Sequence, residues 1–263
     1  MAFYYAKGAM MSENKVETIE NRVPSNIRYR IIACLRGAIE EDLAQYINAN
    51  HLATYNAIPF LKGDYINTRL QNELVSEDIE VVPFTRYGWE SRLVIDHSNK
   101  IAYNVISKNR MCQLMKEAAS NNVPHYTLLF AYALNNDLQA PQKQMSFFDN
   151  YPFDDDIMVD GYNKLVGGQL QRDSGYRYCV ITYEVSSGQL LDCEILMLDK
   201  DLDIVTKVEL TEFITPEYST LTMPNSNSAE APETQPRVKL KKKFVQDPSS
   251  LVTLRDETKE KRA

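Results

Sequence analysis

The hydrophobic pattern of this chain changes period three times, and that restricts it to folds that mix helices with a sheet. From Ile27 apolar residues recur every three or four positions, through Ile31, Leu35, Ile39, Leu43 and Ile47, as one buried face of a helix requires. Ser25 or Asn26 can cap that helix. A second helix is expected over Asp64 to Leu74, with Pro59 and Gly63 breaking the chain before it. The period then shortens to two over Ile79–Thr85, Ser91–Asp96 and Ile101–Ser107. Tyr87-Gly88 and His97-Ser98-Asn99 separate these runs, so a meander is the simple expectation. Residues 109–120 return to helical spacing. The run HYTLLFAYAL after Pro124 suits a buried strand or a buried helix, and periodicity does not choose between them. A polar connector follows over 138–160. Tyr176–Val185 and Leu190–Leu198 then read as a hairpin across Ser186-Ser187-Gly188, and Ile204–Leu210 adds a strand.

The expected fold class is α+β: N-terminal helices, a mixed or antiparallel sheet with helices on one face, and a disordered C-terminal tail. Residues 1–24 are expected to be loosely ordered, 25–137 to form an α+β region, and 161–218 to form a β-rich region of the same domain. After Tyr218 the chain is rich in Ser, Asn, Pro, Thr and Glu, a composition that cannot bury enough apolar surface to fold.

Composition excludes several function classes. No apolar run approaches the roughly 20 residues that span a bilayer, and the first residues lack a signal-peptide core, so a cytoplasmic location is expected. The four cysteines, Cys34, Cys112, Cys179 and Cys193, form no CxxC pair and lie among apolar residues. Each is expected to be a buried reduced thiol. His51, His97 and His125 lack zinc-hydrolase spacing. Among nine glycines only Gly167 and Gly168 are adjacent, which leaves no phosphate-cradling loop for ATP or dinucleotide chemistry.

The connector carries Gln144-Met145-Ser146-Phe147-Phe148 within PQKQMSFFDNYPFDDD. Adjacent aromatics in a polar stretch are costly unless buried, in this chain's own core or on a partner. The five residues resemble the peptide by which bacterial DNA-processing proteins dock on the replication sliding clamp: glutamine, an aliphatic residue, serine or aspartate, leucine or phenylalanine, then phenylalanine. The resemblance implies that Gln144 hydrogen-bonds at the edge of an apolar pocket on the clamp. Met145 would fill a shallow site, and Phe147 with Phe148 a deep one.

A second constellation resembles metal-dependent nucleases of the restriction-endonuclease type, which place carboxylates on neighbouring strands with a lysine beside them. The acids hold Mg²⁺ and the lysine orients the attacking water. Here Glu41 on the first helix, Asp96 at the end of RLVID and Lys108 after IAYNVIS would fill those roles, with Asp96 as metal ligand. Ile106 stands where the second acid belongs. The same residues also suit a turn start at Asp96, a strand end at Lys108 and a solvated helix face at Glu41. No cofactor is expected unless that chemistry holds, in which case it is Mg²⁺.

Charge is uneven. The tail after residue 218 holds nine Lys/Arg against six Asp/Glu, which leaves −10 on the body of a chain whose net charge is −7. Arg237, Lys239, Lys241, Lys242 and Lys243 within PRVKLKKKF form a run able to bind nucleic acid, while the acidic body is a poor general surface for it. The expected role is that of a bacterial interaction protein in DNA transactions, associated with phage defence or mobile elements and recruited to a protein partner, the sliding clamp. The alternatives are a degenerate Mg²⁺-dependent nuclease and an antitoxin-like protein whose acidic body covers a basic partner.

Overall fold

A computed structural model describes residues 19–117, 123–141, 153–166 and 168–214. The peptide Gln144–Phe148, the basic run Arg237–Lys243 and the tail expected over 219–263 lie outside these residues, so the expectations placed on them meet no structure.

Among the described residues six strands form one sheet in chain order: β1 (Ile79–Arg86), β2 (Trp89–Asp96), β3 (Ile101–Ser107), β4 (Arg177–Ser186), β5 (Gln189–Leu198) and β6 (Ile204–Glu209). Neighbours are antiparallel except β3 and β4, which run parallel from Ile101 opposite Arg177 to Ser107 opposite Tyr183. Two meanders are thus fused side by side into one mixed sheet. Parallel neighbours need a long crossover, and it is supplied by α4 (Lys108–Glu117), α5 (Tyr126–Leu134) and α6 (Asp155–Val166).

Of the helices before the sheet, the first runs close to where its periodicity places it and the second is longer. α1 (Ser25–Arg36) continues through a π-helical stretch, Gly37–Leu43, into α2 (Ala44–Asn50). α3 (Ile58–Arg69) continues as a π-helical stretch over Leu70–Leu74. α3 begins six residues before the expected Asp64. Pro59 lies in its first turn, where a missing N–H has no helical partner to lose, so it starts the helix rather than ending the segment before it. The apolar run after Pro124 is helix α5, capped by His125. The connector is shorter than expected, because α6 takes over at Asp155. Asp155 and Asp156 form its first turn, where the helix dipole favours negative charge.

Alternate residues of the central strands enter two separate cores. Tyr103, Cys179, Ile181 and Ile195 pack with Ile31, Leu35 and Leu70 of α1 and the α3 segment. Ala102, Tyr178, Val180 and Leu196 pack with Leu129, Phe130, Met158 and Tyr162 of α5 and α6. The α+β class and the mixed sheet are as expected, but the helices cover both faces of the sheet rather than one. The reason is visible in β3 and β4, whose residues are buried almost without interruption, as in strands covered on both sides.

Two polar devices hold the layers. Arg69 grips the π-helical stretch: Nε donates to Asp42 at 2.6 Å, Nη2 to Asp42 at 2.7 Å and Glu41 at 2.9 Å, and Nη1 to Glu73 at 2.8 Å. These bonds hold the Asp42 carboxyl below its ordinary range. On the other face the fully buried Asn135 donates to the carbonyls of Tyr178 and Leu198, at 2.8 and 2.7 Å, and accepts from the Tyr178 amide. It ties the end of α5 to two strands at once. A Cβ on Gly37 would lie 2.6 Å from Arg69 Nη1. Gly37→Ala is therefore expected to displace the guanidinium and lower stability by about 1–3 kcal/mol, read as a shift in the urea midpoint at unchanged slope.

Candidate functional site

β2 and β3 pair over only three positions, Val94 with Tyr103, Ile95 with Ala102 and Asp96 with Ile101. Each keeps its other neighbour to the end: β1–β2 pairing runs through Arg86 opposite Trp89, and β3–β4 pairing through Ser107 opposite Tyr183. Beyond Val94 the sheet therefore splits, and a cavity of about 480 Å³ occupies the opening. Ser91 of β2 and Val105, Ile106 and Ser107 of β3 form its walls. Gly63, Ile66 and Asn67 of α3 close one side, and Arg110 of α4 with His125 and Tyr126 of α5 close the other.

Among the described residues the charged members of that lining are Arg86 and Arg110, and no Asp or Glu belongs to it. Arg86 donates Nη2 to the Pro124 carbonyl at 2.8 Å, and its guanidinium lies 4.8 Å from the Tyr87 ring centre. Among the described residues no carboxylate pairs with it. Arg110 is half-exposed and reaches Glu117 only at 3.7 Å. A third cation, Lys62, stands 5.7 Å over the ring of Tyr183, which lines the cavity; burial pulls its amine below its ordinary pKa.

His125 accepts the Thr127 amide at Nδ1, 3.2 Å away, so its proton sits on Nε2. Burial, helped by the fields of Arg110 and Arg86, pushes it down to about 3 and keeps it neutral. Burial pushes the Tyr126 hydroxyl up to about 12, so the phenol stays protonated. The rim is aromatic. Trp89 and Phe60 are exposed by 42% and 58%, with ring centres 5.8 Å apart, and Tyr87 is exposed by 80%. Such a chamber offers guanidinium donors and ring faces.

The nuclease-type residues are not brought together. Asp96 and Lys108 flank β3 at opposite ends, and its seven residues put about 20 Å between them at roughly 3.3 Å per residue. Asp96 is buried and starts a turn, accepting the Asn99 amide at 2.9 Å and Asn99 Nδ2 at 2.8 Å. Both of its oxygens are thereby engaged. Glu41 is held by Arg69. Lys108 turns to β5, where it pairs with Asp192 and lies 3.6 Å from Glu194, two acids the sequence reading did not select. Among the described residues no group of three or more His, Cys, Asp or Glu side chains is arranged to hold a metal ion. Cys34, Cys179 and Cys193 are buried as expected, but Cys112 is exposed. No described helix is long and apolar enough to cross a membrane.

Sequence reasoning missed Arg86, Arg110, Trp89 and Tyr126 as one site. The available signal was Arg86-Tyr87-Gly88-Trp89, a hairpin tip with aromatics where Asn and Asp are preferred.

One family profile, described as a family of unknown function (DUF5986), matches residues 20–254. The chain belongs to that family. No curated protein and no solved structure matches it.

His125 yields a pH test. Its native pKa lies below the ordinary 6.5, so between those values the unfolded chain binds a proton that the native chain does not. That part of the stability is present above pH 6.5 and is lost as pH falls towards about 3. His125→Asn keeps an acceptor at the cap and removes that titration. Its denaturation midpoint is expected to fall less than the wild-type midpoint between pH 7 and pH 4.

Proposed function

We propose that this chain is a binding protein whose split-sheet cavity holds an anionic, ring-bearing ligand of the nucleotide class. The observation that carries the reading is two guanidinium groups and several aromatic faces around one cavity whose described lining contains no carboxylate. Guanidinium suits phosphate oxygens, because its planar fork donates two parallel hydrogen bonds. Trp89 and Phe60 offer ring faces, and neutral His125 with protonated Tyr126 adds donors able to select among rings. The volume falls within the roughly 300–1,000 Å³ of small-molecule sites. No glycine-rich loop is needed, because side chains rather than backbone amides supply the donors. A cytoplasmic setting is part of this reading.

Calorimetric titration with nucleoside mono-, di- and triphosphates tests it. Binding is expected for at least one of them. Arg110→Ala is expected to weaken that binding by about 1.5–3 kcal/mol, the usual worth of a hydrogen bond to a charged group, with the circular dichroism spectrum unchanged. Absence of heat with every nucleotide would remove the reading.

A second reading, recruitment to a replication clamp, is supported by the sequence Gln144–Phe148, whose three apolar anchors and leading amide suit an apolar groove. It is compatible with a nucleotide-class ligand, because both belong to DNA transactions. Micromolar binding to a bacterial sliding clamp is expected, and it should vanish in the Phe147→Ala/Phe148→Ala variant; wild-type protein that does not bind would end this reading.

A further inference from the structure

We infer that the ligand is an unpaired nucleic-acid strand: one nucleotide occupies the split-sheet cavity and the next passes over Tyr87 into a neighbouring cavity towards Lys164. The inference rests on the nucleotide reading above and extends it.

Three observations carry it. The first is continuity. A second cavity of about 410 Å³ adjoins the split, and the two share Arg86 and Tyr87 as lining. Val123, Ile157 and Lys164 belong to the second cavity alone. A mononucleotide fills one chamber; a chain of nucleotides repeats ring and phosphate at intervals and so can use both. Gly161, which lines the second cavity, lets α6 come close to Leu129 and Arg86: a Cβ there would meet Leu129 at 3.0 Å and Arg86 Nη1 at 3.6 Å.

The second is Tyr87 itself. The β1–β2 and β4–β5 hairpins have the same two-residue loop, with positive φ at both positions: 48° and 80° at Tyr87-Gly88, 51° and 80° at Ser187-Gly188. Such turns favour Asn or Asp at the first position, because a bulky side chain is strained there. Only the hairpin between the two cavities carries an aromatic at that position, and its ring is left 80% exposed. A strained, exposed ring stacked on an arginine is what a base-stacking platform requires.

The third is charge. The body is acidic, yet Arg86, Arg110, Lys62 and Lys164 gather around these cavities. Among the described residues the single carboxylate of either lining is Asp160. It pairs with Lys164 at 2.6 Å, but both side chains are mostly exposed, at 63% and 72%, so the pair is weak and Lys164 can turn to a phosphate. Exposed aromatics interleaved with cations are the arrangement that single strands use without sequence preference.

Trp89 is the one tryptophan of the chain and stands on the rim, so quenching of its fluorescence reports stacking at this site. The full chain would be titrated with mononucleotides and with (dT) and (rU) oligomers of two to six residues. We expect quenching throughout and affinity at least tenfold higher for hexamers than for mononucleotides. A slope of log K against log salt near −2 is expected for about three phosphates held. Lys164→Ala should remove much of the gain with length while leaving mononucleotide affinity unchanged. Tyr87→Asn should weaken hexamer binding by about tenfold while raising the melting temperature, a combination that a purely structural role would not produce. A preference for (dT) or for (rU) supports the inference equally and identifies which strand is the source. Mononucleotide binding with no gain in longer oligomers would overturn this inference and leave the cavity reading standing; no binding of either would overturn both. Equal quenching by an acidic peptide such as polyglutamate would also overturn it, in favour of an acidic protein partner.

Discussion

The parallel pairing of β3 with β4 is the constraint on which the rest of the molecule depends. Both strands are buried on both faces, and their seven register pairs join two antiparallel meanders that would each be a marginal three-stranded sheet. Parallel neighbours cannot be linked by a tight turn, so the chain must leave the sheet after Ser107 and return before Arg177. The helices of that excursion cover one face, and the helices preceding β1 cover the other. Asn135 secures the arrangement from within, since a buried amide that satisfies three backbone groups costs little in place and much if displaced.

The same pairing determines where the cavity lies. β3 is held by β4 along its full length, and β2 is held by β1 along its full length, so β2 and β3 follow different partners and part after three positions. The opening is bordered by strand backbone and roofed by helices from both faces. Residues far apart in sequence, Gly63, Arg86, Trp89, Arg110 and Tyr126, therefore meet around one volume. Its electrostatics follow from the lining: among the described residues no carboxylate pairs with Arg86, and Arg110 reaches Glu117 only at 3.7 Å, so both offer charge to an anion, while burial, helped by their fields, holds His125 neutral.

Much of this was legible in the chain. The strands fall within one or two residues of where alternation marks them, because Val, Ile and Tyr flanked by Gly and Asn describe pleated segments with tight turns. α5 was ambiguous because YTLLFAYAL is apolar all round, and such a run has no face to reveal its period. The start of α3 is harder to see, because Pro59 resembles a breaker in sequence, whereas a proline in a first turn starts a helix. The helices on both faces had a signal in β3 and β4, where apolar residues such as Ile101-Ala102-Tyr103 and Tyr178-Cys179-Val180-Ile181 follow one another without alternation. The nuclease-type residues illustrate the opposite error: Asp96 and Lys108 are close in sequence, but a strand runs between them and carries them apart.

By itself the sequence determined the alternation of helical and strand segments, the two hairpin turns at Tyr87-Gly88 and Ser187-Gly188, and the lack of a membrane-spanning run. These are local properties, set by side-chain period and backbone preference over a few residues. Only the tertiary structure decided which strands pair in parallel, which faces the helices cover, where the sheet splits and which arginines meet there. Those outcomes depend on burying both faces of β3 and β4 together, a balance of long-range contacts that no short window of residues contains.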